Sequence, residues 1–239
     1  MYIYILIIIL LIYLTFGKKK KKKFSKKDWI SHKLGQKIMT DMLREFDRIC
    51  RNNNLNYWCV GGTLIGSIRH KGWIPHDADI DVAMLETDYK KLQKIIQKNL
   101  PKDYWFQDKS TDKYYKSTIG KIRYLHAYYS DDDKHKWHNG IQLDIFVFKD
   151  DGKILSPHPE TIDSDIKPIS KNMIFPTKEL YFDDILVRVP NNYKKYCKDA
   201  WGNFPPNELP IDQQYPHEGR ISFVIPKWMK KKYSNLYHI

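Results

Sequence analysis

Residues 79–84, DIDVAM, most constrain what this chain can become. In an extended strand, positions i and i+2 share a face. Asp79 and Asp81 therefore lie on one face, with Ile80 and Val82 on the other. A chain that builds this strand needs a sheet with one face in a core and the other presenting carboxylates. A second stretch, IQLDIFVF (141–148), has the same character. Ile141, Leu143, Ile145 and Val147 form its apolar face, and Asp144 stands opposite with Gln142 and Phe146. If the two strands are neighbours, three carboxylates converge.

Adjacent carboxylates repel one another and raise each other's pKa, and a hard divalent cation relieves this. Mg²⁺ takes oxygen ligands, commonly one or two carboxylates together with substrate phosphates. Two such ions can clamp an in-line phosphoryl displacement. Gly61-Gly62, upstream of the strand, lets backbone amides approach a phosphate closely because no Cβ intervenes. Thr63 is expected to cap a short helix carrying Leu64, Ile65 and Ile68, whose N-terminus adds donors. Arg69, Lys71, Lys121 and Arg123 are available cations for phosphate charge. Blander readings stand beside these. Asp-x-Asp alone is weak evidence of metal binding, and Gly-Gly alone marks a turn. Asp77, Asp79 and Asp81 imitate the start of an EF-hand loop, but Val82 and Asp88 occupy its glycine and glutamate positions. His70, His76 and His138 read as loop or cap histidines, and Arg123 as the solvated face of a strand.

Around these motifs the chain alternates helices and strands. Ile30, Leu34, Ile38, Met42, Phe46 and Cys50, flanked by Leu43 and Ile49, predict an amphipathic helix from Trp29 to Cys50. YWCV (57–60) reads as a buried strand, 87–100 as a helix with Leu92, Ile95 and Ile96 inward, and 117–125 as a strand. The stretch 130–140 is a polar loop, 151–180 is irregular and proline-spaced, 185–190 is a late strand, and 191–202 is a helix with a glycine stop. The pattern predicts an α/β or α+β domain around a mixed sheet flanked by helices.

The net charge of +13 suggests a nucleic-acid binder until its distribution is considered. Residues 18–27 hold eight lysines, and Lys227, Lys230, Lys231 and Lys232 four more, which leaves +1 for the body between them. Nucleic acid is therefore not an expected partner. Cys50, Cys59 and Cys197 are too widely spaced for a zinc finger or a disulfide framework. Residues 1–17, MYIYILIIILLIYLTFG, are uncharged in their side chains and precede the lysines, the reverse of a secretory signal. They read as a single-pass transmembrane anchor, with a cleaved signal peptide as the main alternative, 18–27 as a polylysine linker and 28–239 as the catalytic domain. The positive-inside tendency favours a cytosolic face, with the secretory lumen as the alternative.

The stretch GGTLIGSIRHKGWIPHDADIDVAM closely resembles the signature of the LicD/fukutin family, with its glycine-threonine turn and "RHKGFIPWDDDID"-like run. IQLDIFVF is similar to that family's second acidic strand, and VRVPNNYKKYCKDAWGNFPP to its C-terminal signature. The resemblance runs from about Gln36 to Pro206. It implies a nucleotidyltransferase fold and transfer of a phospho-alcohol, such as phosphocholine or ribitol phosphate, from a CDP-alcohol to a glycan hydroxyl. CMP leaves, and Mg²⁺ or Mn²⁺ is required. Carried over, Asp79, Asp81 and Asp144 hold the metal, and Gly61, Gly62 and Thr63 the nucleotide phosphates; Asp144 is the expected assisting base by position. Asp77 matches the first acid of the family's run. Ala78 stands where the family often has another acid, off the carboxylate face, and His76 where it often has tryptophan. WGNF exchanges aromatic positions with the usual YG-x-x-W. Two other readings are nucleotidyl transfer from an NTP with release of pyrophosphate, and a non-catalytic glycan- or nucleotide-binding module.

Overall fold

The computed structural model describes residues 23–117, 119–131, 137–158 and 167–237. Its longest element is α1 (Lys26–Asn52). Ser25 and Asp28 start this helix with reciprocal side-chain-to-backbone bonds, which satisfy donors that a helix end leaves free. The helix thus begins inside the stretch read as linker. Its buried face carries Met39, Met42, Leu43, Phe46, Ile49 and Cys50, but Ile30 and Leu34 are 61% and 47% exposed. A strict four-residue spacing turns about 40° per step around a 3.6-residue helix, so a stripe that faces the core at Met42, Phe46 and Cys50 lies off the core side at Leu34 and Ile30. The inward residues at that end are His32, Gly35 and Gln36.

The sheet is built from β1 (Tyr57–Cys59), β2 (Ile80–Leu85), β3 (Tyr104–Gln107), β4 (Gly120–Tyr129), β5 (Gly140–Asp150), β6 (Ile154–Pro157), β7 (Ile169–Ser170) and β10 (Ile221–Ser222). Its main path is β1-β2-β5-β4-β10, with β3 on β4 and β6 on β5. Only the β2–β5 pair is parallel, so the sheet is mixed, as expected. Two short helices bracket β2 in sequence, α2 (Gly61–Arg69) before it and α3 (Glu86–Asn99) after it. The segment expected to be irregular, 151–180, instead supplies β6, β7, the one-turn helix α4 (Lys171–Ile174) and β8 (Lys178–Phe182). β8 forms a separate hairpin with β9 (Ile185–Val189). Asn192 caps α5 (Tyr193–Trp201), and Gly202, at φ 80°, stops it. The chain closes with α6 (Lys227–Lys232) and α7 (Ser234–Tyr237).

The two sheet faces do different work. One packs Ile80, Val82, Ile122, Leu143 and Ile145 against the apolar face of α1. The other carries the polar residues, of which Gln107, Arg123, Gln142 and Asp144 are buried and Asp79 and Asp81 half-buried. Trp58, Ala83, Phe148, Leu155 and Ile174 close one side, and Met229 and Tyr233 of the C-terminal segment cover Trp105 and Leu125 on the other. The acidic positions lie between these two clusters.

The membrane anchor expected at residues 1–17 lies outside the described residues. No helix among the described residues is long and apolar enough to cross a membrane. A single-pass membrane localisation is therefore not supported by any helix among the described residues.

Candidate active site

Register brings the acids together. β2 and β5 run parallel with Asp81 opposite Asp144, and β4 places Lys121 on the far side of Asp144. β3 extends the row with Gln107 beside Lys121. One row of the carboxylate-bearing face therefore reads Asp81, Asp144, Lys121, Gln107. The next row on that face is Asp79, Gln142, Arg123, Trp105, with Gln142 Nε2 3.5 Å from Asp79 Oδ2. Asp79, Asp81 and Asp144 each offer an oxygen within 4.8 Å of the others.

The glycine pair meets this cluster from the side. Gly61 opens α2 at φ +52°, and a Cβ there would lie 2.5 Å from Asp81 Oδ2. A Cβ on Gly62 would overlap Asp77 Oδ2. Both carboxylates thus rest against the start of a helix, where free backbone N–H groups and the helix dipole favour negative charge. Thr63 does not cap that helix. Val60 is the N-cap, without a side-chain bond, and Thr63 is a buried residue of the first turn. Its Oγ1 accepts a 2.8 Å bond from the Asp81 N–H, which fixes the helix to the acidic strand. The cap reading fails because the helix already starts at Gly61, which makes Thr63 its third residue, three past the cap.

The electrostatics follow from the crowding. Burial, then the charges of Asp81, Glu218, Asp77 and Asp144, push the Asp79 carboxyl well above the usual range. Asp81 is pushed up by burial, Asp144, Asp77 and Glu218, and pulled back by Lys121. Asp77 is raised to about 6, chiefly by burial and partly by Glu218, against a 3.1 Å bond from the Ala78 N–H. Sequence reasoning missed Glu218. It lies far along the chain on the segment that β10 pins to Tyr128 and Tyr129, and it has no motif of its own.

The four expected cations separate. The ammonium of Lys121 donates to both oxygens of Asp144, at 2.6 and 2.5 Å, in a buried pair. Both oxygens of Asp144, the residue expected to assist as base, are thus engaged by that ammonium. Arg123 is not on a solvated strand face. It is 2% exposed and donates to Gln107 Oε1, the Gly140 carbonyl and Gln142 Oε1. Its task here is to hold Gln142 between Asp79 and Asp144. Arg69 and Lys71 stand at and beyond the opposite end of α2, about 13 Å along a nine-residue helix from the glycines. Arg69 donates to the Pro206 carbonyl, and Lys71 is exposed at φ 54°. His138, read from sequence as a loop or cap residue, is fully buried. It accepts the Gly140 N–H at Nδ1 and meets Tyr237 Oη at 2.7 Å through Nε2.

The donor set suits a hard cation. Opposed oxygens on one Mg²⁺ stand about 4 Å apart, so a spread of 4.8 Å needs less than about 1 Å of adjustment. All three donors are carboxylate oxygens, the type of ligand such an ion takes.

Fold and site together define an α/β domain in which a mixed sheet carries three carboxylates against the glycine-rich start of a helix. The chain belongs to the LicD/FKTN/FKRP nucleotidyltransferase-domain family, whose model matches residues 54–192. The lipopolysaccharide cholinephosphotransferase LicD of Haemophilus influenzae is 41% identical over 73 residues, which cover 30% of this chain and 24% of that protein. An uncharacterized protein of Rickettsia prowazekii is 34% identical over 64 residues, 26% of this chain and 24% of that one. A Rickettsia typhi protein, also uncharacterized, is 34% identical over 55 residues, 23% of this chain and 18% of its own length. The matched stretches thus span a quarter or less of these relatives.

Proposed function

We propose that this domain transfers a phospho-alcohol, phosphocholine or a related group, from a CDP-alcohol to a glycan hydroxyl and releases CMP. The observation that carries the reading is the meeting of Asp79, Asp81 and Asp144 in a chain of this family. The cholinephosphotransferase named among the relatives supports the group transferred.

Asp79, Asp81 and Asp144 would hold Mg²⁺ or Mn²⁺, which would neutralise the pyrophosphate and ease departure of CMP. The first N–H groups of α2, from Gly61 to Thr63, would donate to the phosphate oxygens of the CDP-alcohol. Gln142, held by Arg123, keeps Asp79 and Asp144 in register. The covered flanks of the sheet, Trp58 and Phe148 on one side and Met229 and Tyr233 on the other, restrict water around the acids. Rate enhancement would come from positioning and charge stabilisation.

The direct test is incubation of the full chain with a panel of CDP-alcohols, a glycan acceptor and Mg²⁺ or Mn²⁺, reading CMP. CMP with at least one CDP-alcohol is expected, and Asp79→Ala and Asp81→Ala should each reduce it about 10³-fold or more while far-UV circular dichroism is unchanged. Pyrophosphate released from an NTP, with no CMP from any CDP-alcohol, would instead establish nucleotidyl transfer. Near-normal turnover by either variant would remove the assigned centre.

A further inference from the structure

We propose that Lys121 is a resident counter-cation of the acidic centre, which competes with the metal for Asp144 and turns to the donor phosphate when the metal binds. The inference rests on the reading of Asp79, Asp81 and Asp144 as the ion-binding set.

Lys121 is held in place by register. Its strand position is directly across from Asp144, and its ammonium contacts both Asp144 oxygens while Asp144 faces Asp81 on its other side. Both side chains of the pair are about nine-tenths buried. An ion that takes Asp144 as a ligand has to share its two oxygens with the ammonium and meets that positive charge at close range. Lysine suits a cation that has to move. It is a point charge on a flexible four-carbon stem, whereas a guanidinium locks onto a carboxylate with two parallel bonds.

The neighbouring cation shows the contrast. Arg123, one row away, is fixed by Gln107, the Gly140 carbonyl and Gln142, all uncharged acceptors, and has no carboxylate to give up. Lys121 is the cation whose charge the site can redeploy. In the ion-free protein its ammonium, lying on both oxygens of Asp144, offsets part of the repulsion among Asp144, Asp81 and Asp79. Once a divalent ion supplies that charge, the ammonium keeps one oxygen of Asp144 at most. It then has donors to spare across Asp144 from Asp81, the acid that rests against the α2 N-terminus, where the proposed donor's phosphates would lie.

Mn²⁺ titration of the full chain tests this by electron paramagnetic resonance of free Mn²⁺, with CMP affinity measured separately at saturating Mn²⁺. Lys121→Met removes the competitor, and Mn²⁺ is expected to bind about tenfold more tightly than to wild type. The same variant should bind CMP about tenfold more weakly, and its melting temperature should rise more on adding Mn²⁺. Lys121→Arg keeps the charge but grips Asp144 harder, so Mn²⁺ should bind several-fold more weakly than to wild type. Unchanged or weaker Mn²⁺ binding by Lys121→Met overturns the proposal. If that variant does not fold, wild-type or tighter binding by Lys121→Arg does the same. A wild-type chain that binds no Mn²⁺ removes the metal reading itself, an outcome distinct from equal binding by all three proteins.

Discussion

At the scale of single residues, the two glycines contribute space as much as flexibility. Gly62 leaves the room that the Asp77 carboxylate fills, and Gly61 does the same for Asp81 while adopting φ +52°. Gly62→Ala is therefore expected to push Asp77 off the helix start without unfolding the chain. The cost should be about 1–3 kcal/mol of stability, the usual range for an extra methyl group in a packed site. Mn²⁺ affinity should fall along with it, because Asp77 and its neighbours move together. Denaturant melts and Mn²⁺ titration of the variant check both statements, and unchanged Mn²⁺ binding would mean that the glycine pair serves only as a turn.

At the scale of elements, the joint between α2 and β2 matters most. The Asp81 N–H donates to Thr63 Oγ1, and Ser67 of the same helix donates back to the Thr63 carbonyl. Thr63→Val keeps the shape and removes the acceptor, which leaves a sheltered N–H without its partner. A loss of about 1–3 kcal/mol is expected. The larger effect should fall on catalysis, because helix start and acidic strand lose their fixed relation. Comparison of Thr63→Val with Thr63→Ser, which restores the acceptor, separates the two causes. Turnover recovered by serine but not by valine is the expected result.

At the scale of the whole molecule, the C-terminal segment is a structural cover, although its sequence reads only as basic. Met229 is fully buried, Tyr233 donates to Asp112, and Tyr237 donates to the Leu125 carbonyl and meets His138. His138 is consequently held neutral, with burial and then Arg123 pushing its pKa down to about 3. An unfolded histidine takes up a proton below about pH 6.5, while the folded one resists until about 3. The contribution of His138 to stability is thus complete above pH 6.5 and is lost as pH falls through that interval, at up to about 1.4 kcal/mol per unit. Asp77, raised to about 6, works in the opposite sense, since its protonated form suits the fold and its contribution fades as pH rises from about 4 to 6. His138→Asn should be less stable than wild type at pH 7.5, and the gap should close as pH falls to 4.5. Urea unfolding at both values checks this, and a gap that stays constant would show that His138 carries a proton in the fold.

The sequence by itself determined the strand faces, the mixed α/β class and the three acids. Two-residue periodicity and the apolar partners of Asp79, Asp81 and Asp144 are local properties of a strand. It could not say which cation belongs to which acid. Lys121 and Arg123 occupy the same face of one strand and are alike in sequence, yet register gives one a carboxylate and the other only neutral acceptors. Nor could it place Glu218, join Thr63 to Asp81, or show that a lysine-rich tail covers Trp105. Those are contacts between segments remote along the chain. Side-chain chemistry at long range is set by register and packing, and the tertiary structure decided both.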